Sequence, residues 1–170
     1  MSLSVHQRRR LEDTGCDLRF DDLSRTLYAT DASIYRVQPS PVAVPESVER
    51  CAAVVRAAAT AGLSLTPRGA GTGLTGGALG EGVVLDLSAH LTDIGPVDLE
   101  GRTIEVGAGV VLDELNRALA HHDLRFGPDV ATSSRATLGG MIANNSSGAH
   151  APVYGTTADH VEVLRIVLAD

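Results

Sequence analysis

The chain has no tryptophan, only two cysteines, and aromatic residues at 3% of its 170 positions. Lysine is also absent, because all 14 basic residues are arginine. Each shortage excludes something. A Walker-type phosphate loop closes on a Lys-Ser/Thr pair, so that motif cannot occur here. With 21 acidic residues the net charge is −7, and scattered arginines on an acidic chain argue against nucleic acid as a partner. Arg8-Arg9-Arg10 is the one basic run and reads as a solvated helix face. The cysteines, Cys16 and Cys51, fit neither a C-x-x-C motif nor a zinc spacing, and no metal site is expected. No disulfide framework is implied, which makes a reducing cytoplasm the expected compartment. A peripheral place on the inner face of the membrane is left open. No apolar run approaches the roughly 18 residues of a membrane span. Leu11-Glu12-Asp13 follows the arginines where a signal peptide would turn apolar, so an export signal is rejected. With so few aromatics, the core must be built from Ala, Val, Leu and Ile.

Residues 1–36 read as a polar, charged leader, helical around Val5 to Glu12 and then irregular. Val42-Ala43-Val44 reads as a short strand. Pro45 suits the first turn of a helix. Val48, Ala52, Val55 and Ala59 recur at helical spacing, and Gly62 ends that helix. Leu63 to Thr66 is the next strand, which completes a β-α-β unit. Val83 to Leu87 reads as a buried strand and Thr103 to Val106 as an alternating one. Val111, Leu112, Leu115, Ala118 and Leu119 mark a second amphipathic helix. Thr137 to Asn144 reads as a short helical turn, and Val161 to Leu168 as a last strand. Mixed strands with packed helices define an α+β domain over residues 37–170.

The second strand of the β-α-β unit runs into Pro67-Arg68-Gly69-Ala70-Gly71-Thr72-Gly73-Leu74-Thr75-Gly76-Gly77-Ala78, with five glycines in twelve residues. Glycine permits φ > 0 and close approach of a ligand, so successive N–H groups can converge on one anion, typically a phosphate. Gly71 to Gly76 matches the dinucleotide fingerprint G-x-G-x-x-G. That fingerprint should open a helix, and the sequence runs instead into Gly76-Gly77-Ala78-Leu79-Gly80, which is too rich in glycine to be helical.

A second glycine- and amide-rich stretch runs from Gly127-Pro128-Asp129 through Thr137-Leu138-Gly139-Gly140 to Asn144-Asn145-Ser146-Ser147-Gly148, followed by Tyr154-Gly155. Together the two segments resemble the flavin-binding segments of the vanillyl-alcohol oxidase/p-cresol methylhydroxylase (PCMH) superfamily of FAD enzymes. The branch they resemble contains D-lactate dehydrogenases, the glycolate oxidase flavin subunit and D-2-hydroxyglutarate dehydrogenases, with the closest likeness to large fused flavin/iron–sulfur members. The resemblance covers roughly Leu23 to Asp170.

The resemblance implies a PCMH-type FAD-binding domain, incomplete at its C-terminus, with the remainder and the substrate-binding cap domain absent. It places Pro67, Arg68, Gly69, Ala70, Gly71, Thr72 and Gly73 on the FAD pyrophosphate. It places Pro128, Asp129, Thr137, Gly140, Asn144, Asn145, Ser147 and Gly148 along the ribityl chain and the isoalloxazine. Arg68 could pair with phosphate or make a salt bridge beside the loop. Some relatives attach FAD through a histidine at the position matching Thr72. Threonine cannot form that link, so the FAD is expected to be non-covalent. The implied activity is transfer of a hydride from a small 2-hydroxy acid to FAD in an intact dehydrogenase or oxidase. The electron acceptor is undefined, and an iron–sulfur cluster would belong to a missing C-terminal region. No catalytic residue is assigned, because in this family those groups come largely from the cap. His150 could approach the flavin or stand in solvent, while His121-His122 reads as the end of a helix. The alternatives are a non-catalytic flavin-binding fragment and a cell-wall precursor reductase using the same fold. The fragment alone is expected to be inactive and to self-associate through its truncated edge.

Overall fold

The computed structural model describes residues 3–169. They divide into two compact units, one of residues 3–90 with 166–169 and one of residues 91–165.

The first unit is built on a four-stranded sheet: β1 (Asp17–Arg19), β2 (Val42–Val44), β3 (Leu65–Arg68) and β4 (Val83–Asp86), in the order β1-β2-β4-β3. β1 is antiparallel to β2, and β2, β4 and β3 run parallel, with Thr66 opposite Val84 and Arg68 opposite Asp86. β4 thus lies between the two strands of the expected β-α-β unit. Pro67 is tolerated because β3 is an edge strand among the described residues, with no further strand there calling on an N–H. Every residue of β2 and β4 is buried, as a run covered on both faces requires.

α1 (Val5–Glu12) opens with a capping box between Ser4 and Gln7, and α2 (Asp22–Leu27) with Asp21 accepting from Ser24 N–H. α3 (Val48–Thr60) starts at a Ser47 cap, so Pro45 precedes the helix and does not lie in its first turn. Leu11 of α1 is fully buried with Cys51, Val54 and Ala58 of α3 and with Ala43, Leu63, Val83 and Leu85. The buried stripe of α3 therefore differs from the sequence expectation, and Val48 is exposed. α3 is apolar on several faces, so more than one stripe satisfies a helical period, and the sheet selects among them. The arginine run is exposed, with Arg8 2.8 Å from Glu12 and stacked over the Phe20 ring. β1 and α2 fall where irregular chain was expected.

The second unit holds the antiparallel pair β5 (Ile94–Asp98) and β6 (Thr103–Val106), the helix α4 (Leu112–Leu119) and the short helices α5 (Leu138–Ala143) and α6 (Ala151–Tyr154). β5 was not legible because Gly95-Pro96 reads as a turn. Here those residues lie at a register shift between Ile94 and Val97, the kind of irregularity where a strand accepts both. Leu115 and Leu119 of α4 pack with Val110 and Leu138, while Leu112 packs with Ala136 and Met141. His121 and His122 form a 3-10 turn at the end of α4.

One expected strand does not form. Val161 to Leu168 has no regular secondary structure, and Val163, Leu164, Ile166 and Leu168 are exposed. Its alternation is a strand pattern, but a strand exists only in a ladder. No partner for this one occurs among the described residues.

Candidate functional site

The glycine loop leaves the carboxyl end of β3, where open parallel sheets place their ligands. Gly71 takes the left-handed conformation (φ +67), as does Gly76 (φ +77). A Cβ on Gly71 would stand 2.9 Å from Arg68 Nη2 and 3.5 Å from Asp31 Cβ, and one on Gly76 would stand 2.9 Å from the Tyr35 ring. The backbone N–H groups of Ala70, Gly71, Thr72 and Gly73 meet no acceptor among the described residues. Consecutive free donors around a left-handed residue are the kind of backbone from which anion-binding nests are built.

The loop rests on a segment within residues 1–36, the stretch expected to be a polar leader. Ala32 N–H donates to the Gly71 carbonyl at 2.9 Å. Asp31 Oδ1 accepts from Ser33 N–H at 2.8 Å, while its Oδ2 is buried with no partner among the described residues. Arg68 directs Nη1 at the carbonyls of Tyr28 (3.2 Å) and Ala78 (3.4 Å) and Nη2 at that of Thr30 (2.8 Å). Its guanidinium also lies 5.2 Å from the centroid of the Tyr28 ring. The Tyr28 hydroxyl donates to Asp86 Oδ2. These contacts are long-range, and no local sequence signal marks them.

Burial, then the Asp86 hydrogen bond, pushes the Tyr28 phenol from 10.0 up to about 12. A raised pKa in the folded chain means that the neutral phenol is the stabilising form. Its contribution is complete below pH 10 and is lost as pH rises through about 12. Tyr28→Phe is therefore expected to remove the latest phase of tyrosinate absorbance and the loss of urea resistance over that alkaline window. A late phase that survives the substitution would contradict this assignment.

In the second unit, Thr137 precedes α5 and is 3% exposed. Its Oγ1 caps no helix N–H and has no partner among the described residues. A buried hydroxyl without a partner costs about 1–3 kcal/mol. Gly140 lies beside it, where an added Cβ would stand 3.3 Å from Thr137 Oγ1. Asn144 and Asn145 are exposed and partly committed within the chain. Asn144 Nδ2 donates to the Gly140 carbonyl at 2.9 Å, and Asn145, at φ 44, accepts from Ala158 N–H at 2.8 Å. Ser147 forms an isolated bridge to Thr156.

Pro128 is buried, and Asp129 and Gly148 are brought into direct contact. A Cβ on Gly148 would overlap Asp129 Oδ1 and stand 2.5 Å from its backbone oxygen. This close passage sets His150 Nδ1 against Asp129 Oδ2. The hydrogen bond from His150 holds the Asp129 carboxyl below the ordinary carboxylate range. The His150 side chain is 64% exposed.

The first unit holds a parallel β-α-β arrangement whose second strand ends in a run of free N–H donors, and the second unit holds a buried hydroxyl without a partner among the described residues. The family model described as "FAD binding domain" matches residues 39–170, and the chain belongs to that family, within the vanillyl-alcohol oxidase/p-cresol methylhydroxylase superfamily. The chain is 44% identical over 151 residues to a D-2-hydroxyglutarate dehydrogenase of Pseudomonas putida, covering 87% of this chain and 15% of that protein. To a D-lactate dehydrogenase of Archaeoglobus fulgidus it is 40% identical over 131 residues, covering 76% of this chain and 29% of the other. Among solved structures, an alkyldihydroxyacetonephosphate synthase superposes with a TM-score of 0.83 at 22% identity, over 98% of this chain and 33% of its own. The likeness to that synthase bears on the fold alone. The chain thus spans about 15% of the length of the first relative and about a third of the synthase.

Proposed function

We propose that this chain is the FAD-binding part of an oxidoreductase that passes a hydride from a 2-hydroxy acid to FAD. The observation that carries the reading is the run of free N–H groups from Ala70 to Gly73 around left-handed Gly71. These donors suit a pyrophosphate, whose charges would be prohibitively costly to bury unpaired. Pro67 and Gly69 shape the entry to that run, and the Thr72 hydroxyl adds one more donor. In the second segment, Thr137 Oγ1, the free amide atoms of Asn144 and Asn145, and Ser147 Oγ suit the polar groups of a flavin and its ribityl chain. Pro128, Asp129, Gly140 and Gly148 hold the backbone there. Bound FAD supplies the hydride acceptor, and the chain's own residues bind it and hold it in place. Residues 37–170 are the N-terminal portion of the FAD-binding domain in this reading.

The relatives named for D-2-hydroxyglutarate and D-lactate support the 2-hydroxy acid as substrate class. The cofactor is non-covalent in this reading, because Thr72 cannot form a histidyl link. An electron-accepting iron–sulfur centre would lie outside these residues, since such clusters take about four cysteines. Here Cys51 is buried, and burial pushes the Cys16 thiol up to about 11.

Residues 1–170 alone are the case for the non-catalytic reading, because they span so little of their relatives. Pocket ligands need most of their surface buried. We expect weak FAD binding by calorimetry, no dye reduction with D-lactate, glycolate or D-2-hydroxyglutarate, and release of all flavin by acid. Exposed Val163, Leu164, Ile166 and Leu168 should make the same sample self-associate in sedimentation. Sub-micromolar affinity, substrate-dependent turnover, acid-stable flavin or a strict monomer would each refute the corresponding claim.

A further inference from the structure

We propose that Arg68 is the clasp that gives the glycine loop its shape, and that its hydrogen bonds serve the chain and not a phosphate. The inference rests on the phosphate-loop reading above and concerns how that loop is held. Arg68 is the last residue of β3, and the Ala78 carbonyl it reaches lies at the far end of the loop. One side chain thus joins the two ends of the loop. The same guanidinium binds the carbonyls of Tyr28 and Thr30, fixing the loop to the segment whose Ala32 N–H holds the Gly71 carbonyl. Both terminal nitrogens are engaged within the chain, and Arg68 makes no ion pair with a carboxylate among the described residues. The planar, forked donor set of arginine suits carbonyls converging from three directions, and a lysine ammonium on its flexible stem does not reproduce it.

The clasp is itself supported. The Tyr28 ring lies beneath the guanidinium, and its hydroxyl is tied to Asp86, the residue opposite Arg68 in the sheet. Asp86 is 5% exposed and also accepts from Ser88 N–H (2.7 Å) and Ser88 Oγ (2.6 Å). A buried carboxylate bonded on both oxygens is a fixed point. The order of support runs from β4 through Asp86 and Tyr28 to Arg68 and the loop. Arg68, Tyr28 and Asp86 are therefore positioning residues.

The test compares Arg68→Gln, Arg68→Lys and Tyr28→Phe in the 170-residue chain, with amides of α3 as the reference for folding. In the ligand-free protein, hydrogen exchange at Ala32 and Leu79, whose N–H groups donate to the Gly71 and Gly76 carbonyls of the loop, should accelerate by about tenfold or more in both Arg68 variants, as loss of a charge-assisted hydrogen bond implies. A smaller acceleration is expected in Tyr28→Phe, and α3 should be unchanged in all three. FAD affinity should fall equally in the Gln and Lys variants. Unchanged exchange at both amides would overturn the proposal, and affinity restored by lysine would overturn it by making Arg68 a phosphate ligand. If Arg68→Gln loses the α3 reference, the Lys and Phe variants still decide the matter. Should FAD fail to bind the wild-type chain, the flavin reading fails, while the exchange result still judges the clasp.

Discussion

Gly71→Val should weaken FAD binding by about tenfold to hundredfold while leaving the chain folded. A β-branched residue at φ +67 carries about 1–3 kcal/mol of backbone strain, and that energy sets the range. The new side chain would also meet Arg68 Nη2 at 2.9 Å. The loop can relieve both problems only by rotating, which reorients the Ala70–Gly73 donors. Gly62→Val is the matched control. Gly62 has nearly the same φ (+65), lies outside the loop, and has nothing within 4 Å of an added Cβ. It should lose comparable stability and keep its FAD affinity. Equal affinity in wild type and Gly71→Val would remove the loop from the binding site.

Gly148→Ala should have the largest effect in the second unit. The methyl group has no room, because it would overlap the Asp129 carboxylate and crowd the Asp129 backbone at 2.5 Å. A side chain can swing aside, but a backbone oxygen moves only with its segment. Overpacking of this kind costs about 1–3 kcal/mol. A domain of this size would lose about 2–4 °C in melting temperature per kcal/mol. The Asp129–His150 contact should part in the same variant. The Asp129 carboxyl would then return upward toward its ordinary value of 3.8, which NMR titration of the side chain reads directly. The depressed carboxyl stabilises the fold above its unfolded pKa, and this contribution is lost as pH falls through the lower folded value. An unchanged melting temperature with an unchanged Asp129 titration would show that the contact is dispensable.

The sequence exposes what is local and conceals what is distant. The glycine loop, the strands Val42–Val44 and Val83–Asp86, and α4 follow from residue types and periods within short windows. The Ala-rich α3 was found as a helix, but its buried face was displaced, since alanine at many positions leaves the choice of face to the sheet. β5 was hidden by Gly95-Pro96, residues that announce a turn unless the register shift is known. The strand pattern of Val161–Leu168 was visible, but its alternation cannot supply a neighbour. For the candidate site, the two glycine- and amide-rich segments could be picked out by composition. The support of the first by Tyr28, Asp31 and Ala32 could not, because those contacts span about forty residues of sequence and depend on the fold.

The most direct test of the account is backbone amide NMR of the 170-residue chain titrated in parallel with FAD, ADP and riboflavin. Chemical shifts register weak as well as tight binding, so low affinity does not blunt the experiment. The predicted result is that FAD and ADP both move the amides of Ala70 to Gly73, while FAD and riboflavin move those around Thr137 and Asn144 to Gly148. FAD that leaves Ala70 to Gly73 unmoved, at concentrations where other amides respond, would contradict the phosphate-loop assignment and with it the central claim.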